Sequence, residues 1–486
     1  MKHVKNRGRQ AQRGISVLAA ALMLIITVPF TGLAIDVTLL YVDKARLQAA
    51  TDGAALAGAK ALARGNDDPT QQLNAKQAAA SYVFLNYPAT FFFTNSITVN
   101  QGTDITIDES VTNRRTVTVT AHANVPTLFM RWLHFTSTNV IASAAVTRRD
   151  VNIAFVVDRS GSLAVTNSCA PLQQSAINFV NKFANGRDNI GLVTFASSTH
   201  ADFPIANNFQ TASPSVVTQI GNIQCAGSTS SAMGLWYGYD QLVGLNQPNA
   251  LNVILFFTDG KPTGVDVNMP IANSSTCTSW HTGPPGPPKY INGLYNTYTN
   301  VATGQWFGIS QPTNNGTVTN QDGNITTDVN VANCAFGLSW PGSQTALTDF
   351  LGVPTTDVFG DNLNNGYQAI TLNGAGYIDL GNTMNAVNMT INGADAAATS
   401  IRGGGTEVGP LPHAGSSLAN VIIYSVGLGN APYPLSVPLL ERISNDPRSN
   451  IYNANQPAGL FVLAPTSADI DSAFAAIASE ILRLSR

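Results

Sequence analysis

Two short apolar runs end abruptly in oxygen-bearing side chains. Residues 153–157 and 253–257 are consecutive apolar residues, rich in Val, Ile and Phe. That is the pattern of strands buried on both faces of a parallel sheet. Residues 190–195 and 421–426 read the same way. Helices are predicted over 171–183, 232–243, 383–402, 435–444 and 467–484. In the last, Ile470, Phe474, Ile477, Ile481 and Leu484 make one apolar stripe, expected to pack into a core. Strands alternating with helices predict an α/β fold: a doubly wound, mostly parallel sheet with helices on both faces. The alternation breaks at about 262–376, a stretch rich in Asn, Thr, Gly and Pro that includes Pro284-Pro285-Gly286-Pro287-Pro288. It is too long for a simple loop and reads as a partly ordered insertion at the edge of the sheet that carries the Asp residues.

The amino-terminal third has other periods. Residues 14–35 carry no charge and would span ~33 Å as a helix, about a bilayer core. Helical character continues through 36–63, where Gly53, Ala54, Ala57 and Gly58 are spaced for close helix packing. An ordinary Ala-rich helix packed on its own domain is an equal expectation. A helix over 70–86 follows. Alternating runs at 96–100, 104–108, 115–123 and 140–147 then predict antiparallel strands with one wet face. Residues 128–133, Leu-Phe-Met-Arg-Trp-Leu, are expected in a buried core, with membrane contact as the alternative.

Composition narrows the setting. Charged residues are 11% of the 486, well under the usual quarter, as in an exported chain. Lys2, Lys5, Arg7, Arg9 and Arg13 precede any acidic residue, which predicts a cytoplasmic amino terminus and an exported remainder. Gly32-Leu33-Ala34 offers a small-x-small site, so a cleaved signal peptide is the alternative. No basic patch is interleaved with aromatics, which argues against nucleic acid as a partner.

The chemistry gathers at the strand ends. After Val157 come Asp158, Ser160 and Ser162, with Gly161 keeping the turn small. A carboxylate and two hydroxyls at alternate positions suit a hard divalent cation, and open α/β sheets bind ligands at that edge. Gly227 to Ser231 adds Thr229, and the second apolar run ends in Thr258-Asp259-Gly260. This set resembles the von Willebrand factor A domain and its metal-ion-dependent adhesion site (MIDAS). The resemblance implies that Ser160, Ser162 and Thr229 bind the ion by their hydroxyls. Asp158 and Asp259 would act directly or through water. The cofactor implied is Mg²⁺, or Mn²⁺ or Ca²⁺. A second stretch joins Arg13-Gly14 and the apolar run to Ile35-Asp36 and to residues 46–59, Arg-Leu-Gln-Ala-Ala-Thr-Asp-Gly-Ala-Ala-Leu-Ala-Gly-Ala. It resembles TadG-type proteins of tight-adherence (Flp) pilus-assembly systems, which often carry an A domain downstream. Gly14 is followed by Ile-Ser-Val-Leu-Ala, not by the Glu of peptidase-processed relatives, so processing there is not expected.

The organisation expected is a basic cytoplasmic arm (1–13), a transmembrane helix (14–35), a TadE/TadG-like α+β module (36–150) and an A domain (151–486) holding the insertion. Cys169, Cys225, Cys277 and Cys334 form no Cys-x-x-Cys pair, and an exported chain would oxidise them. Three connectivities are possible. Cys169–Cys225 with Cys277–Cys334 is the expected one, because the first bond would tie two ligand-bearing loops together. Asp322-Gly323-Asn324 with Asp328 lacks calcium-loop spacing and reads as a polar turn.

The function expected is a membrane-anchored binding protein of the bacterial cell envelope, in periplasm or at the surface. Its metal ion would take an Asp or Glu carboxylate from a protein partner, a pilus or envelope component. The alternative is a structural scaffold with a vestigial metal site. A metal-dependent hydrolase is less favoured, because no His-Glu-x-x-His, Gly-x-Ser-x-Gly or phosphate-binding loop is present.

Overall fold

The structure, a computed structural model, describes residues 9–65, 67–88, 91, 94–196, 199–271, 289–300, 303–310, 353–364, 366–379, 382–409, 411–429 and 435–485. Cys277, Cys334, the Pro284–Pro288 run and Asp322 to Asp328 lie outside them. The chain divides into two compact units, 1–148 and 149–485.

In the first unit, α1 (Arg9–Ala61) runs unbroken through Pro29. Its stretch from Ser16 is long and apolar enough to cross a membrane. Val17, Leu18, Met23, Ile25 and Phe30 are exposed along it. From Leu47 onward the same helix turns inward. Leu47, Ala50, Ala54, Ala55 and Ala59 are buried with Ala75, Ala79 and Val83 of α2 (Asp68–Asn86). A Cβ on Gly58 would sit 3.3 Å from the Ala75 carbonyl oxygen. The small residues thus serve close packing inside this unit. The helices cover a sheet of β1 (Ser96–Thr98), β2 (Ile105–Asp108), β3 (Arg114–Pro126) and β4 (Ser137–Arg149). β3 pairs with the other three. Alternate residues Val117, Val119, Ala121, Ala123 and Val125 are buried, as the two-residue period demands.

Residues 128–133 correct the core expectation. Met130–Leu133 form a 3₁₀ turn with no buried residue, and Trp132 is 84% exposed. The Asp36 carboxylate holds the segment out. It accepts hydrogen bonds from the backbone amides of Leu128, Phe129 and Met130 at 2.9, 2.9 and 2.6 Å. Phe129, Met130, Trp132 and Leu133 line an apolar cleft with Val28, Pro29, Phe30 and Leu33 of α1.

The second unit is built on a six-stranded sheet. Its strands are β5 (Val151–Asp158), β6 (Asn189–Phe195), β7 (Thr199–Ala206), β8 (Leu251–Thr258), β12 (Ile422–Leu428) and β13 (Phe461–Ala464). The order is β13-β12-β8-β5-β6-β7. All pairs are parallel except β6 with β7 at the edge. Ile153, Phe155 and Val157 face one core, whose helices are α3 (Gly161–Val165), α4 (Cys169–Val180), α5 (Val216–Gly221) and α9 (Ile470–Leu484). Ala154 and Val156 face the other, with α6 (Ser231–Leu245), α7 (Thr383–Arg402) and α8 (Val437–Ser444). Two buried faces explain the unbroken apolar runs. The stripe on α9 packs into the first core.

At the amino ends of three strands, Asn189 Nδ2 donates to Asn152 Oδ1 at 2.8 Å, and Asn152 Nδ2 to Asn252 Oδ1 at 2.9 Å. This buried amide ladder bonds residues that are register partners.

The insertion contains more regular structure than expected. Its strands β9 (Gly264–Ile271), β10 (Lys289–Asn300) and β11 (Thr303–Ser310) form an antiparallel sheet. Residues 353–364 and 366–379 are a series of turns in which Asp357 Oδ1 accepts from the Phe359 and Asp361 amides at 2.9 and 2.8 Å. Along β9, Val265, Val267, Met269 and Ile271 fall at every second position, with Val265 and Val267 buried, a period-two signal inside the Asn- and Gly-rich stretch.

Candidate metal centre

β5 and β8 are parallel neighbours in register, Val157 opposite Phe257, so their carboxyl ends open side by side. From β5 the chain moves to β6 on one side and later returns to β8 on the other. This is the switch point at which doubly wound sheets bind ligands. Asp158 ends β5 and Asp259 follows β8. Both carboxylates are fully buried, and Ser160 is 2% exposed.

The loop after β5 turns at once. The Ser160 amide donates to Asp158 Oδ1 at 2.7 Å, and Thr258 Oγ1 donates to Asp158 Oδ2 at 2.5 Å. Both Asp158 oxygens are thereby fixed. Ser162 Oγ donates to Asp259 Oδ1 at 2.6 Å, Ser160 Oγ lies 3.3 Å from the same oxygen, and the two hydroxyls are 2.9 Å apart. Asp259 Oδ2 is buried with no hydrogen-bond partner.

Thr229 arrives on a separate loop, tied to the first. The Gly161 amide donates to Gly227 O at 2.9 Å and the Ala226 amide to Arg159 O at 2.7 Å. Gly227 has φ +93°, a left-handed conformation that suits glycine. Cys169 and Cys225 are disulfide-bonded, with Cα atoms 6.1 Å apart, joining the start of α4 to this loop. The Thr229 amide donates to Thr263 Oγ1 at 2.8 Å, and Thr229 O accepts from the amides of Thr263 and Gly264 at 2.7 and 3.0 Å. Four of the five residues therefore share one hydrogen-bonded cluster, Asp158 being joined through the Ser160 backbone. Thr229 is buried beside it, and no hydrogen bond joins its hydroxyl to the other four among the described residues. Thr258 and Thr263 were not singled out from the sequence. Thr258 had a signal, a hydroxyl at a strand end directly before Asp259; Thr263 had none.

Burial raises the Asp158 carboxyl above its usual range. It does the same to Asp259, where the Asp158 charge adds to the effect. Two buried carboxylates, two adjacent hydroxyls and an unpartnered carboxylate oxygen form an all-oxygen donor set. Such a set fits Mg²⁺, Mn²⁺ or Ca²⁺ better than a soft metal.

Residues 152–276 match the model of the von Willebrand factor type A domain. The chain carries a von Willebrand A domain. Residues 14–61 match the family described as putative Flp pilus-assembly TadE/G-like, so the A domain lies downstream of a Tad-type segment. The uncharacterized protein YfbK of Escherichia coli (strain K12) is 30% identical over 109 residues, 22% of this chain. The match spans only 18% of YfbK. Among solved structures, the PilB minor pilin from Streptococcus sanguinis aligns over 82% of this chain and 80% of its own, at 12% identity and TM-score 0.37. The vWF domain of the type V pili tip protein Mfa5 from Porphyromonas gingivalis aligns over 70% and 97%, at 14% identity and TM-score 0.36.

Proposed function

We propose that this chain is a membrane-anchored, exported binding protein of a pilus-assembly or adhesion system. Its A domain would hold a divalent ion at Asp158, Ser160, Ser162, Thr229 and Asp259 and present it to a carboxylate of a protein partner. The observation that carries the reading is the Asp259 carboxylate. One oxygen takes hydroxyl hydrogen bonds and the other is buried without a partner. An unpaired buried acceptor is costly, and a cation relieves it. In this reading Ser160, Ser162 and Thr229 supply hydroxyl oxygens, Asp259 supplies charge, and Asp158 orients water and the Ser160 backbone. A bound Mg²⁺ would supply a positive centre with exchangeable water positions, one of which an Asp or Glu side chain can take. α1 would anchor the chain through residues 14–35, with the exposed Phe129–Leu133 turn resting in the lipid interface. The reading is of a binding protein and not an enzyme. The Tad-type segment supports pilus or envelope proteins as partners.

The test is calorimetric titration of Mg²⁺ into the full chain in detergent, wild type against Asp158→Ala. Binding by the wild type that the substitution removes is expected. Mg²⁺ binding by neither protein would overturn the ion site and leave a scaffold role in the envelope as the better account.

A further inference from the structure

A second cluster of metal-ligating side chains lies elsewhere in the A domain and is independent of the adhesion-type site. Asp240 is on α6, near its carboxyl end. Glu407 and His413 are on the glycine-rich stretch between α7 and β12. One oxygen from each carboxylate and one ring nitrogen of His413 lie within 4.8 Å of one another. Asp240 Oδ1 accepts from the His413 amide at 3.0 Å and lies 2.9 Å from His413 Nδ1. Glu407 is 0% exposed, and neither of its side-chain oxygens has a hydrogen-bond partner. Burial and the adjacent Asp240 carboxylate raise the Glu407 carboxyl to about 8.

The loop is held in this shape by its backbone. The Glu407 amide donates to Ser416 O and the Gly415 amide to Glu407 O, both at 2.9 Å. The chain therefore closes on itself and brings His413 back over α6. Gly409 turns with φ +81°, and a Cβ there would lie 2.3 Å from the Val358 carbonyl oxygen. The Tyr239 hydroxyl fastens the loop to the same helix. It sits 2.9 Å from Gly405 O and accepts from the Leu418 amide at 2.7 Å. Two backbone hydrogen bonds and the Tyr239 hydroxyl thus hold the loop against the helix that carries Asp240.

The His413 amide and ring both meet Asp240 Oδ1, which leaves both Glu407 oxygens without a neighbouring N–H inside the protein. Apart from a proton shared with Asp240, no donor reaches them among the described residues, and a cation would serve both carboxylates. We propose that Asp240, Glu407 and His413 form a second, mixed nitrogen–oxygen metal site for a first-row transition ion of the zinc class. One imidazole and two carboxylates are the donor set of such ions, whereas Mg²⁺ and Ca²⁺ favour oxygen alone. Three protein ligands leave a position for water, on the side where the His413 side chain is 43% exposed. The ion cross-links the glycine-rich loop to α6 and neutralises the two carboxylates.

The test uses the full chain in detergent, stripped with chelator, with Co²⁺ alone as an optical probe and Zn²⁺ as competitor. Asp158→Ala is the background, so that the adhesion-type site contributes nothing. We expect one equivalent of Co²⁺ with visible d–d absorption, displaced by Zn²⁺. Glu407→Gln and His413→Gln should each weaken binding at least about tenfold, a loss of ~1.4 kcal/mol. Loss of the same signal in Asp158→Ala relative to wild type would assign it to the first site and overturn the proposal. So would an absence of uptake, or uptake unchanged in both variants. If circular dichroism shows Glu407→Gln unfolded, the half-exposed His413→Gln decides alone.

Discussion

Ser162 Oγ donates to Asp259 Oδ1 at 2.6 Å across a sequence separation of 97. That bond closes the gap between the loop after β5 and the end of β8, and it lies where the ion is proposed to bind. The ion would take the second Asp259 oxygen, which has no hydrogen-bond partner, together with the Ser162 hydroxyl held beside it. Ser162→Ala removes both the bond and a hydroxyl donor. We expect it to lower Mg²⁺ affinity by about tenfold, ~1.4 kcal/mol, while leaving thermal stability in chelator nearly unchanged. Calorimetry with differential scanning checks both arms. Unchanged affinity would remove Ser162 from the donor set.

The two buried carboxyls set a pH dependence. Asp158 and Asp259 are raised mainly by burial, and Asp259 further by the Asp158 charge. A folded pKa above the unfolded one means that the native state holds its protons longer. The corresponding stability is present below the ordinary carboxylate range, near about 4, and is lost as pH rises through the folded values. Asp266 and Asp361, each raised to about 7 by burial, act with the same sign. In chelator, Tm should therefore fall as pH rises above the carboxylate range. Mg²⁺ should suppress part of that fall, and Asp259→Asn should abolish the Mg²⁺-dependent part. Parallel Tm curves with and without Mg²⁺ would contradict the linkage.

The asparagine ladder makes a prediction about the sheet. Asn152 bonds Asn189 on one side and Asn252 on the other, with all three side chains buried. Asn152→Leu leaves a donor and an acceptor unpaired, at ~1–3 kcal/mol each. A destabilisation of about 3 kcal/mol is expected in urea unfolding. Replacing all three by apolar residues should recover part of it, because the stranded side-chain amides are gone while the Gln247 and Ala250 carbonyls still lose the Asn252 donor. A single mutant as stable as wild type would show that water reaches these positions.

The Cys169–Cys225 bond closes a loop with sequence separation 56. A loop of that length corresponds to about 4 kcal/mol in the chain-entropy account. The Cys169→Ser/Cys225→Ser pair should lose stability of that order. It should also bind Mg²⁺ more weakly, since the bond steadies the loop carrying Thr229. Stability lost with affinity unchanged would confine the bond to a stabilising role.

The amino-acid sequence by itself marked four of the sheet's six strands, β5, β6, β8 and β12, and the helices α4, α6, α7, α8 and α9 packed on them, but not the edge strands β7 and β13. Residues 153–157 and 253–257 must be buried on both faces, and a chain of such strands alternating with helices has few ways to pack. It also marked Asp158 and Asp259, because a charge that abruptly ends an apolar run must sit at a strand terminus. Long-range partnership was a different matter. That Thr258 steadies Asp158, that Asn152 bonds Asn189 and Asn252, and that Asp240 meets Glu407 and His413 across a separation of 173 to the last depends on strand register and on where a loop closes. Local periodicity carries no information about either. The apolar stretch at 128–133 shows the same limit in reverse. Its composition favours a core, but the Asp36 carboxylate, 92 to 94 residues away in sequence, captures its amides and leaves Trp132 facing outward.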